Sequence, residues 1–182
     1  MATDGFIQTD PERAESLAAV RSVLADVLDR DGGWPELAEA GLLGLAVPEA
    51  YGGEGLGLPE VGVLLRETGA RARHLPVWET LCCGALVVAG AGTEEQQQAL
   101  LPGIASGEVL LTPAFREVGQ PISGTPGTTY DGGRISGRKV GVTFADRATR
   151  LLVPAMEGDS PVVALVDVSD PGVTLLLSLI HI

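Results

Sequence analysis

The sequence predicts an α+β fold: an N-terminal helical bundle followed by a small antiparallel β-sheet or barrel domain. Apolar residues recur at helical spacing up to about residue 105. From about Val109 the period changes to short runs of branched residues separated by tight turns. Helices first and strands second is the order of segregated layers, not of alternating βα units. The expected units are a helical domain over 1–106, an incomplete β-domain over 107–175 and an atypical tail over 176–182.

Each element has a local cause. Thr9-Asp10-Pro11-Glu12 supplies a cap, a proline for the first turn and an acid near the positive helix end. Leu17, Val20, Leu24, Val27 and Leu28 then mark one apolar face, and Gly32-Gly33 is expected to end that helix. A short helix runs from Trp34 to Ala40. Pro59 opens a third, with Val61, Leu64, Leu65 and Thr68 inward and Arg66, Arg71, Arg73 and His74 toward its carboxyl end. Trp78 to Ala89 is apolar nearly all round, as in the central helix of a bundle. Thr93-Glu94-Glu95-Gln96 is a capping-box start for a last helix ending near Pro102-Gly103. Beyond it, runs at 109–111, 134–136, 151–153 and 162–166 read as strands, with Asp131-Gly132-Gly133 and Glu157-Gly158-Asp159 as turns.

Composition narrows the function classes. The 182 residues are 45% hydrophobic but only 4% aromatic, so Leu, Val and Ala must build the core. A formal charge of -12 argues against nucleic-acid and anionic-membrane partners, which need a basic face. The only cysteines, Cys82 and Cys83, exclude a disulfide framework and read as two small buried hydrophobes in a reducing compartment. No secretory signal and no membrane span is visible, which gives a cytoplasmic expectation, and no metal site is expected.

The stretch from Gly41 to Gly57 contains V-P-E-x-Y-G-G-x-G-L at Val47–Leu56. There Pro48 and the four glycines that follow it, Gly52, Gly53, Gly55 and Gly57, hold a backbone that neither helix nor strand accepts. Further on stand Gly92-Thr93-Glu94-Glu95-Gln96-Gln97, the run Leu101–Glu108 close to "L-P-x-I-A-S-G-E", Gly137-Arg138-Lys139 and Asp170-Pro171-Gly172-Val173. These pieces, in this order, resemble the acyl-CoA dehydrogenases, flavin enzymes that desaturate acyl thioesters. The resemblance covers roughly residues 12–175 and implies a helical domain, a β-domain and a further helical domain that this chain lacks. It also implies FAD as cofactor, an acyl-CoA substrate, an electron-transfer acceptor and a homo- or hetero-oligomer.

A flavin needs donors along its pyrimidine edge, a hydroxyl or amide near N5 and a flat apolar screen. In the resembled family two segments supply these, approximately "T-E-P-x-A-G-S-D" and "K-x-W-I-T-N". The first aligns with Phe115 to Ser123, where Glu117 matches and Phe115 keeps the bulky apolar residue. Arg116 replaces the threonine, and Gln120-Pro121-Ile122 replaces the small stretch, removing a donor and adding bulk. The second aligns with Lys139 to Phe144, where Thr143 keeps the hydroxyl and Val142 an apolar neighbour. Gly141 replaces the screening tryptophan, unless Phe144 substitutes for it. The resemblance therefore makes Phe115, Arg116, Val142 and Thr143 the cofactor-binding candidates. Thr143 also reads as an ordinary strand threonine, and Arg116 as a solvated charge or an anion contact.

No residue is assigned as catalytic base: the family's glutamate usually lies in the final domain, and Glu49, Glu60, Glu67 and Glu79 are read as motif and surface residues. His74 reads as exposed and dipole-complementing. The apolar ending Leu175–Ile182 matches nothing in the family and reads as the end of a truncated frame, or else as a terminal strand. The resulting expectation is an inactive fragment of a dehydrogenase, with a non-catalytic partner subunit of a heteromeric enzyme as the alternative.

Overall fold

A computed structural model of the chain describes residues 11–122 and 124–176. Its helices are α1 (Pro11–Asp29), α2 (Trp34–Glu39), α3 (Leu58–Ala70), α4 (Leu86–Ala91) and α5 (Glu94–Ala105). Two 3-10 turns (Leu42–Gly44, Glu49–Tyr51) lie between α2 and α3, and a π-helix (Trp78–Ala85) runs directly into α4. The strands are β1 (Leu111–Pro113), β2 (Thr129–Asp131), β3 (Arg134–Ser136), β4 (Arg150–Glu157) and β5 (Ser160–Asp167).

The expected cap Thr9-Asp10 lies outside the described residues. At the other end of α1 the left-handed residue is Asp31 (φ 62), not a glycine. Gly32 N–H donates to Val27 O at 3.0 Å and Asp31 N–H to Leu28 O at 3.1 Å, the pair of bonds that satisfies a helix's last carbonyls. α3 starts as expected at Leu58-Pro59, where Glu60 reaches back to accept from Gly57 N–H at 3.1 Å. α5 runs past Pro102 to Ala105: proline forfeits one bond to the preceding turn, but its own carbonyl accepts from Ser106 N–H at 3.0 Å.

The glycine-rich run is a packing device. Gly52 (φ 83) and Gly55 (φ 62) take left-handed backbone, and a Cβ on Gly53 would fall 2.6 Å from Gly44 O. Two motif pieces distant in sequence meet here. Tyr51 Oη donates to Gln97 Oε1 at 2.9 Å, and Gln97 Nε2 donates to Ala89 O and Gly92 O at 3.1 and 3.0 Å. Gln97 thus closes the end of α4 and anchors the turn.

The core fills this helical unit. Leu24, Leu37, Leu43, Leu64, Leu81, Leu101 and Ile104 are fully buried, and Leu111 and Leu152 from the strands join the same cluster. Cys82 and Cys83 are half-buried rather than buried: Cys82 packs against the edge of the helical core, while Leu81, Gly84 and Ala85 are the buried apolar positions of the same π-helix. Burial still pushes both thiols up, Cys83 to about 11.

The sheet is mixed and does not close, which corrects the antiparallel expectation. β4 pairs antiparallel with β5 along its full length. Its other edge is shared by β1 (parallel, Leu111 opposite Arg150) and β2 (parallel, Thr129 opposite Met156), and β2 and β3 form an antiparallel hairpin. Parallel neighbours need a long crossover. The stretch 114–149 is that crossover, with the β2–β3 hairpin inside it. Among the described residues, the sheet's own buried cluster is small: Ala114, Leu151 and Val153, with partly buried neighbours such as Ile135 and Val142.

Candidate functional site

The helical unit and the sheet meet along the π-helix and β1. A π-helix is rare, is closed by i→i+5 bonds and is frequently found at functional sites. Thr80 Oγ1 donates to Leu111 O at 3.0 Å, and a Cβ on Gly84 would lie 2.9 Å from Leu111 Cβ, so the Leu111 side chain packs directly on the helix backbone at Gly84.

Glu117 holds the two candidate segments together. It accepts from Lys139 Nζ at 2.6 Å, from Thr128 Oγ1 at 2.6 Å, and from the N–H groups of Gly127 (2.8 Å) and Thr128 (3.1 Å). Lys139 Nζ also donates to Pro154 O at 2.7 Å, and Val140 N–H to Arg116 O at 2.9 Å. The Lys139 ammonium, then the Thr128 hydroxyl, pull the Glu117 carboxyl down to about 2. With its oxygens spent in this clamp, Glu117 ties the backbone at Gly127 and Thr128 to Lys139.

The four candidate residues do not converge on one cavity. Phe115 lines a cavity of about 250 Å³ with Gln120, Pro121, Ile122 and Pro154. Val142 lines a different one of about 190 Å³ with Lys139, Leu151 and Val153. Arg116 is exposed and lies against Gly141, where an added Cβ would sit 3.8 Å from its Nη1. Gly141 is itself left-handed (φ 62), so a tryptophan here would be strained by its backbone, although a side chain would meet Arg116 only at ordinary contact distance. Phe144 (φ 54) also takes left-handed backbone, and its ring stacks on His74 at 4.5 Å between centroids, 32° from parallel. The Arg147 guanidinium carbon lies 5.8 Å from the Phe144 centroid. His74 is exposed, as expected, but stands beyond the end of α3, with an aromatic neighbour.

Thr143 carries the junction's most specific contact. Its carbonyl accepts from the buried Thr112 Oγ1 at 2.7 Å, and its own hydroxyl donates to Glu79 Oε1 at 2.8 Å. Glu79 is 8% exposed, on the first turn of the π-helix. Sequence reasoning gave it no role, although a lone carboxylate in a segment apolar nearly all round was a signal. The tail after Leu176 lies outside the described residues, as does Ser123. Among the described residues no helix is long and apolar enough to cross a membrane, and no cluster of three His, Cys, Asp or Glu could hold a metal.

Comparison with known proteins bears on this arrangement. Residues 12–108 match the family model of the acyl-CoA dehydrogenase N-terminal domain. The chain is 41% identical over 152 residues to the acyl-CoA dehydrogenase FadE28 of Mycobacterium tuberculosis, a match covering 84% of this chain and 44% of the relative. Among solved structures, a variant of the Tcur3481-Tcur3483 steroid ACAD superposes with TM-score 0.80 at 38% identity, covering 87% of this chain and 50% of that one. The ChsE4-ChsE5 complex of Mycobacterium tuberculosis gives TM-score 0.75 at 29% identity, covering 92% and 50%. The chain therefore spans about half the length of the relatives it matches. With more than half of its residues inside the family model and the order of helices and mixed sheet shared with these structures, the chain belongs to the acyl-CoA dehydrogenase family.

Proposed function

We propose that the chain is the N-terminal portion of an acyl-CoA dehydrogenase-like flavoprotein, whose parent reaction is FAD-dependent α,β-dehydrogenation of an acyl-CoA thioester. Electrons pass on to an electron-transfer acceptor, and the protein works as a homo- or hetero-oligomer. The observation that supports this best is the junction itself: the π-helix welded to β1 brings the helical wall against the Lys139–Phe144 segment. FAD, when bound, supplies the hydride chemistry, and the protein's share is orientation and exclusion of water. The base that removes the α-proton lies in the remainder of the protein, so the 182 residues alone are inactive. An assay of this chain with FAD, butyryl-CoA or octanoyl-CoA and a dye acceptor is expected to show no turnover; turnover would refute the fragment reading.

The donor set at the junction does not fit an oxidised flavin held in the family's way. The Thr143 hydroxyl proton is committed to Glu79, Gly141 supplies no screening ring, Phe144 is stacked on His74, and Pro121 has no N–H to offer. That misfit favours the second reading, a non-catalytic partner subunit of a heteromeric acyl-CoA dehydrogenase. Flavin content separates the two. The complete protein purified alone carries about one FAD per chain if it is the flavin-bearing enzyme, and none if it is the partner.

A further inference from the structure

A threonine hydroxyl has one proton to give and two lone pairs to offer. At Thr143 the proton goes to Glu79 Oε1 at 2.8 Å. Glu79 cannot turn away cheaply, because it is 8% exposed on a π-helical turn whose next residue, Thr80, is bonded to β1. Thr143 is fixed from the other side, since its carbonyl accepts from Thr112 Oγ1 at 2.7 Å and Thr112 is fully buried. Thr143 is an exposed residue, so its hydroxyl, with the proton given to Glu79, keeps only acceptor capacity for a ligand that reaches it. We infer that Glu79 is a positioning residue that turns the Thr143 hydroxyl from a hydrogen-bond donor into an acceptor toward any ligand lying against the junction.

The chemistry of this choice is specific. An oxidised flavin presents a lone pair at N5, which a hydroxyl donor satisfies and a hydroxyl acceptor repels. A flavin with a C–H at that position, as in 5-deaza-FAD, has no lone pair to repel. This chain's Thr143 therefore discriminates against the oxidised N5 for as long as Glu79 holds its proton. The inference rests on the flavin reading above for the identity of the ligand.

The test compares the affinities of FAD and 5-deaza-FAD for the complete protein, with Glu79→Leu, Thr143→Val and the double variant beside it, circular dichroism confirming folding of each. Both ligands are oxidised and of equal charge, so the lost carboxylate charge cancels in the ratio of affinities. Glu79→Leu is expected to move the ratio toward FAD by about two- to tenfold, the worth of one hydrogen bond. In the Thr143→Val background the same change has no effect on the ratio. A merely structural role for Glu79 would weaken both ligands equally and leave the ratio unmoved, which would overturn the inference alone. If neither flavin binds any variant, the flavin reading fails and takes the inference with it.

Discussion

The helical unit and the sheet unit spend their charged and apolar residues differently. In the first, the six arginines from Arg13 to Arg73 each pair with a carboxylate; Arg71, for example, bridges Asp29 at 3.2 Å and Glu67 at 2.9 Å, fastening α3 to α1. In the second, Lys139 and Arg150 are paired, while Arg116, Arg134, Arg138 and Arg147 have no carboxylate partner among the described residues. The helical unit buries a large contiguous core; β5 leaves Val163 56% exposed. The difference teaches that the helical unit carries most of its own determinants, while the sheet leans on the Lys139–Glu117 clamp, the Arg150–Asp167 pair, and Leu111 and Leu152, shared with the helices.

The largest expected effect breaks the self-sufficient side. Gly53→Ala places a methyl 2.6 Å from Gly44 O, in a turn that is backbone against backbone and has nowhere to move. Urea unfolding of the chain should register a loss of about 3 kcal/mol or more, the cost of overpacking a rigid site. A loss below about 0.5 kcal/mol would place the turn among tolerant surface positions and deny the helical unit its proposed keystone.

The second effect tests the sheet's dependence on its clamp. Glu117 titrates at about 2 when folded against an ordinary 4.5, so its contribution to stability is complete above about pH 4.5 and fades as pH falls toward 2. The sheet signal should therefore weaken in that window. Glu117→Gln should flatten this pH dependence and cost about 1–3 kcal/mol at neutral pH by leaving the Lys139 ammonium, 9% exposed, without a counter-charge. An unchanged acid profile in Glu117→Gln would assign the window to other carboxylates.

Legibility follows the same division. The helices could be read from the sequence because their causes are local: proline at a first turn, Thr93 with Gln96, apolar spacing along α1 and α3. What the sequence did not reveal is set by distant partners. The parallel pairing of β1 with β4 depends on a 36-residue excursion (114–149) that no short-range signal describes. A π-helix stands where an α-helix was expected, and within it Gly84 lets Leu111 approach, a contact across 27 positions. At the candidate site, the alignment of residue types found Thr143, Val142, Phe115 and Arg116, but types alone could not say that a carboxylate would claim the Thr143 proton or that Phe115 and Val142 line separate cavities.

The smallest expected effect sharpens the comparison from the sheet's open edge. Val163 stands on β5 opposite Pro154, more than half exposed, with its strand paired on one side only. Val163→Thr keeps the branched shape and β-propensity and exchanges one methyl for a hydroxyl that water can reach. The free energy of unfolding should change by no more than about 0.5 kcal/mol, the usual range of surface positions. The same Val-to-Thr exchange at Val61, 0% exposed in the helical core, buries the hydroxyl and should cost several times more. If the two substitutions cost alike, the outer face of β5 is covered in solution, and the contrast between a self-sufficient bundle and a dependent sheet would have to be redrawn around whatever covers it.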